Sequence, residues 1–276
     1  MTSAVATVEV PRLEHTGRVT QARVALSEWT KLHSLRSTRW SLLVATVLGI
    51  GLPTLFAAVT SSHWGSMSVH ERADRHPLDI ALAGVNIAQL AIAVLGVLFI
   101  TGEYSTGMIR ASFTAVPKRL PVLWAKLAVY AAVTFALMLP SVLIAFFASQ
   151  AILSKHHILQ ISFSHPGVAR AVVGGAVYLV LLGAFALALG AIVRNTAGGI
   201  AAFAALFFVI PPLMNILPAR WNDAISPYLP DAAGRSIFSL HPGSHSLGPW
   251  PGFGLFVGYT ALAIAVAAVL LVRRDT

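Results

Sequence analysis

The sequence predicts an all-α integral membrane protein with six transmembrane helices, on three observations. The first is composition. Of 276 residues, 57% are apolar and 11% charged, and the mean hydropathy is +0.77. A water-soluble domain of this length needs far more charge to cover its surface, whereas lipid solvates a bilayer protein. The second is that six runs reach the ~20 apolar residues that cross a hydrocarbon core. They lie at about 40–60, 80–100, 122–148, 171–193, 197–217 and 253–272. The third is that the charges sit between these runs rather than along one face, so the formal charge of +9 does not read as a nucleic-acid surface.

The elements follow in order within a single membrane domain, residues 1–276. Residues 1–39 are polar and mixed, without the apolar stretch and small-residue cleavage site of a secretory signal. Within them, "RVTQARVALSEWTKLHSLRSTRW" has helical composition. Val19, Ala22, Leu26 and Trp29 form an apolar stripe, with Arg23 and Lys31 expected to point away from it. Such a helix suits the headgroup layer, its cations toward anionic lipid. The fourth and fifth runs are separated only by Arg194, Asn195 and Thr196, followed by Gly198 and Gly199, which reads as a tight polar turn. Residues 218–252 carry six prolines and the half-apolar "AISPYLPDAAGRSIF", too broken to span. This is expected to be an outer re-entrant loop of short helical pieces. In the last run, Gly254 and Gly258, then Ala261 and Ala265, mark a small-residue face for close helix packing.

Orientation follows from the bias of Lys and Arg toward the cytoplasm. With the N-terminus inside, thirteen of the nineteen cationic residues are cytoplasmic. An even number of spans then places both termini in the cytoplasm, in a multi-pass protein of the cell membrane.

Several chemistries are missing. There is no cysteine, so disulfides, thiolate catalysis and Cys-zinc sites are excluded. No Walker-type phosphate loop is present. "HERAD" begins like a zinc-protease motif, but Asp74 stands where the second histidine is needed. The external histidines lack a tight ligand spacing, so no metal site is expected. The runs hold no ionisable group at mid-depth; Asp79, Glu103 and Lys126 are at their ends. Ion-coupled carriers need such groups, so energy for any transport is expected from another chain. Asn86 and Gln89, three residues apart, and Asn215 are the notable interior polar groups. They are candidates to line a pathway, a hydrogen bond between helices being the equal alternative for the first two.

The loop "GEYSTGMIRASFTAVPKRLPVLWAK", with "SEWTKLHSLRSTRWSLL" before the first run and "ISPYLPDAAGRSIF" before the last, resembles bacterial permeases of ABC-2-type transporters. The resemblance covers nearly the whole chain, its most specific part being the loop. It implies a membrane subunit of an ATP-driven exporter, with an interfacial connecting helix, re-entrant outer helices and a short cytoplasmic coupling helix in residues 101–121. That helix would dock on an ABC ATP-binding subunit, which would bind ATP and Mg on a separate polypeptide. A second permease subunit, identical or related, would complete the pathway in a dimer. The chain itself would have no cofactor and no catalytic residues. Coupling to the ATPase falls to Gly102, Glu103, Tyr104, Ser105, Thr106, Gly107 and Arg110. The residues alone suggest that Thr101 caps a short helix with Glu103 in its first turn. The alternative reading is a non-transporting membrane scaffold or sensor component of an envelope or resistance system.

Overall fold

A computed structural model describes residues 20–34, 36–105, 107, 119–155, 158, 160–240, 243 and 246–273. Among these residues there is no strand. The helices are α1 (Gln21–Ser34), α2 (Arg36–His63), α3 (Val69–Ala73), α4 (Pro77–Ser105), α5 (Arg119–Lys155) and α6 (Val168–Val193). They continue with α7 (Thr196–Ala204), α8 (Ile210–Met214), α9 (Ala219–Ile225), α10 (Pro230–Arg235) and α11 (Pro249–Arg273). Among the described residues, six segments are long and apolar enough to cross a bilayer: α2, α4, α5, α6, the combined 196–214 stretch, and α11. The protein is a multi-pass helical membrane protein.

Helix α6 is the centre, packed against α4, α5, α7 and α11, while α2 lies against α4 and α5. Without a hydrophobic drive between helices in lipid, this packing depends on close backbone approach. Glycine supplies it along the α4–α6 seam. A Cβ at Gly96 would stand 2.5 Å from the Gly183 carbonyl oxygen, and one at Gly190 would stand 2.9 Å from Ile100 Cγ2. Gly254 and Gly258 behave differently from the packing face expected of them. Both are exposed, and a Cβ at either would meet nothing within 4 Å. The face of α11 turned into the chain is Gly252, Phe256, Thr260, Ala263, Ala267 and Leu271.

The polar turn between α6 and α7 is present. Arg194 ends α6 in the left-handed region (φ 57°), and Asn195 caps α7 by accepting from the Gly198 N–H at 2.9 Å. Asn195→Ala is expected to destabilise the purified protein by about 1 kcal/mol, while Asn195→Asp keeps the cap and costs much less. Thermal unfolding in detergent reads the difference, and equal losses would remove the capping role.

Beyond α7, residues Ala205–Val209 form one π-helical turn, with Ile210 donating its N–H to Ala205. Pro211 and Pro212 follow at once. Their rings clash with carbonyls four residues back and offer no N–H, and the wider turn takes up that conflict.

Residues 219–238 form a chain of short helical pieces, as their prolines suggest: α9, a 3₁₀ turn Ser226–Tyr228, α10 and a 3₁₀ turn Ser236–Phe238. It is not a free loop, for Ala233, Gly234, Ile237 and Phe238 are buried against α6 and α11. Arg170 at the start of α6 fastens it, donating to the carbonyls of Ile237 (2.6 Å) and Ser239 (3.1 Å). Asp231 pairs with Arg235 at 2.7 Å, yet burial still raises its carboxyl above the usual range. In "HERAD", Glu71 serves the fold by closing a capping box with Ser68 at the start of α3.

Candidate functional site: a buried charge cluster at one end of the bundle

Four ionisable side chains from three helices meet where α4 ends and α5 begins. Helix α1 turns Val24, Glu28 and Leu32 inward, one residue per turn. Its outer stripe is the expected one, with Ala22, Leu26 and Trp29 all exposed; Val19 lies outside the described residues. Lys31 departs from expectation. It does not point away but reaches inward to Glu28 Oε1 (2.7 Å) and Glu103 Oε1 (3.0 Å). Burial alone would lower the pKa of its ammonium, but hydrogen bonds and charge attraction from the two carboxylates more than offset this and hold it raised.

Lys126, one turn further into α5 than Val122, is the buried member. It is 2% exposed and donates to Glu28 Oε2 (2.5 Å), Glu103 Oε1 (3.0 Å) and the Phe99 carbonyl (3.3 Å). Its three N–H donors are thereby used, and the Phe99 ring lies 4.1 Å from the nitrogen. Two ammoniums and two carboxylates make the cluster neutral. This is the condition under which charges survive burial.

The position of Glu103 corrects the expected cap. Helix α4 runs unbroken through Gly102 to Ser105, and the Thr101 hydroxyl donates back to Val97 at 2.9 Å. Glu103 therefore sits in the last turn of a long helix, not the first turn of a short one. The helix dipole disfavours a carboxylate there by about 0.3–1 kcal/mol, and the two lysines outweigh it. Its second oxygen, Oε2, is buried and has no hydrogen-bond partner among the described residues.

The other coupling candidates surround it. Gly102 is half-buried, and a Cβ there would meet nothing within 4 Å. Tyr104 packs on the main core with the Arg194 guanidinium 5.3 Å from its ring. Ser105 is the last helical residue, and Gly107 is exposed at φ 71°. Thr106, Arg110 and the rest of the expected coupling helix through residue 118 lie outside the described residues. Further contacts tie this end together: Thr196 Oγ1 donates to Thr101 Oγ1 (2.8 Å), and Arg194 to the Leu270 carbonyl (3.3 Å).

Of the pathway candidates, Asn86 and Gln89 lie one turn apart on α4, and Asn215 lies past α8. Gln89 is wholly buried between α4 and α6, where Tyr178 donates to its Oε1 at 2.6 Å. Within this chain it is a hydrogen bond between helices, and its Nε2 has no partner among the described residues. Asn86 is half-buried with Oδ1 enclosed, also without a partner there. Asn215 is exposed just past α8. The structure does not bring the three together.

Glu28 and Lys31 are the cluster members that the sequence does not single out as functional. A signal exists nonetheless. Glu28 is the only acid between Glu14 and Glu71, at helical spacing from Val24 and Leu32. Compared with models of known protein families and with curated proteins, the sequence matches none.

Proposed function

We propose that this protein is the membrane-spanning permease subunit of an ATP-driven exporter of the ABC-2 type. The observation that supports it is the buried cluster of Glu28, Lys31, Glu103 and Lys126. It joins α1 to both ends of the segment that leaves α4 and returns as α5. A push on that segment from a cytoplasmic ATPase would reach α1, α4 and α5 together, because the three share charges that cannot separate cheaply. In this reading the cluster end of the bundle faces the cytoplasm, both termini are on that side, and a second permease subunit completes the pathway. ATP and Mg are bound by the ATPase, and this chain carries no catalytic group.

The test is co-expression with an ABC ATP-binding protein from the same genome. The two are expected to purify together, with ATP hydrolysis that depends on this chain. Glu103→Gln keeps the side chain's shape and leaves Glu28 to hold Lys126. It is expected to preserve co-purification while lowering the complex's ATP hydrolysis about fivefold or more, the size of a typical coupling between sites. An ATPase indifferent to this chain would overturn the reading in favour of a non-transporting membrane component.

A further inference from the structure

We propose that the groove between α2 and α5, at the cluster end of the bundle, is a binding site for one anionic phospholipid. The groove has a volume of about 740 Å³ and runs from Leu32 and His33 along Leu42, Thr46 and Val47, with Leu137 of α5 as its far wall. A smaller cavity of about 420 Å³ adjoins it, sharing Arg39 and Leu43 and adding Arg36 and Trp40. Polarity is graded along the pair. One end holds two exposed arginines, and the other is aliphatic. No carboxylate lines either cavity among the described residues. The nearby acids Glu28 and Glu103 are already held by Lys31 and Lys126.

Occupancy follows from charge and shape. Arg39 donates its Nε to the His33 carbonyl at 2.9 Å, which fixes the guanidinium at the mouth, and among the described residues its outer nitrogens make no other hydrogen bond. Arg36 lies one turn earlier and is exposed. Two guanidiniums lining one cavity match a phosphate, and an aliphatic trough below them matches an acyl chain. A free phosphate would leave the trough empty, and a zwitterionic lipid would bring its own cation to the arginines. Trp40, 66% exposed beside them, is the residue type that anchors at headgroup level. Leu43 and Val47, deeper along the same helix, are exposed and apolar, as lipid-facing positions must be.

The inference requires only that the chain spans a bilayer and is independent of the transport reading. The experiment is native mass spectrometry of the full chain in detergent, incubated with phosphatidylglycerol or with phosphatidylcholine of the same acyl chains. One phosphatidylglycerol is expected to be retained at a concentration lower by on the order of tenfold, given two cationic side chains at the headgroup. Combined Arg36→Gln and Arg39→Gln should abolish that preference. Leu43→Trp, which fills the trough and leaves both arginines, should remove retention of either lipid. Equal retention of the two lipids, or a preference that survives loss of both arginines, would overturn the proposal. So would efficient self-crosslinking of a cysteine placed at Val47 in native membranes, since a second copy would then cover the groove.

Discussion

Lys126→Met is expected to destabilise the folded protein by about 3–5 kcal/mol, the usual cost of removing one partner from a buried ion pair. Methionine fills much the same space, so little of the loss comes from packing. What is lost is the charge that Glu28 and Glu103 require. Glu28 is 2% exposed and would keep Lys31 as its cation among the described residues, while the Phe99 carbonyl would lose its side-chain donor. A protein's net stability is only ~5–15 kcal/mol, so this substitution should lower the melting temperature sharply or prevent recovery of monodisperse material. Lys31→Met, at a side chain 21% exposed, should cost much less, because water can replace it. The decisive variant is Glu28→Leu with Lys126→Met. It removes one acid and one base, leaves Lys31 on Glu103, and should recover most of the lost stability. A Lys126→Met protein as stable as the parent would show that the cluster is not held by its charges. If only the double variant recovers, the cost is that of stranded charge rather than of a lost crosslink.

How far the sequence discloses this arrangement depends on the kind of signal. The six spans are legible because bilayer thickness sets a length that composition alone can meet. The turn at Arg194 is legible because Asn195 lies three residues before the backbone N–H that it caps. Glu28 and Lys31 are harder, since an apolar stripe on α1 draws attention to Leu26 and Trp29, which face outward. The buried side of that helix is marked instead by one acid among hydrophobes, meaningful only once Lys126 is known to approach it. The end of α4 is misleading in the sequence because Gly102 reads as a breaker. Glycine costs a helix about 1 kcal/mol, and Thr101 and Glu103 on either side make contacts that hold the turn in place. Helix packing is the least legible feature. The spacing of Gly254 and Gly258 advertises a contact, and the described residues make none there, whereas Gly96 and Gly183 meet across helices with no local pattern to announce them.

Gly84 carries the second large expected effect. Pro53 lies inside α2, four residues after Gly49, and cannot donate the N–H that the Gly49 carbonyl would otherwise receive. That carbonyl points instead at α4, where only a residue without a Cβ lets it approach. A methyl group at Gly84 would collide with the Gly49 carbonyl oxygen and stand 2.7 Å from Pro53 Cγ. Neither obstacle is the end of a flexible side chain, so α2 and α4 must move apart. The expected cost of Gly84→Ala is about 1–3 kcal/mol, as for other overpacked interiors, with partial loss of folded yield. Gly49→Ala is the control. Its Cβ would meet Ala88 Cβ at 3.9 Å, an ordinary contact, so that variant should match the parent within about 0.5 kcal/mol. Pro53→Ala should ease the Gly84→Ala defect, because it removes the ring and returns a donor to the Gly49 carbonyl. Thermal unfolding of the four proteins in one detergent separates the cases. Equal stability of the Gly84→Ala and Gly49→Ala variants would mean that the two backbones do not approach as closely as their glycines allow.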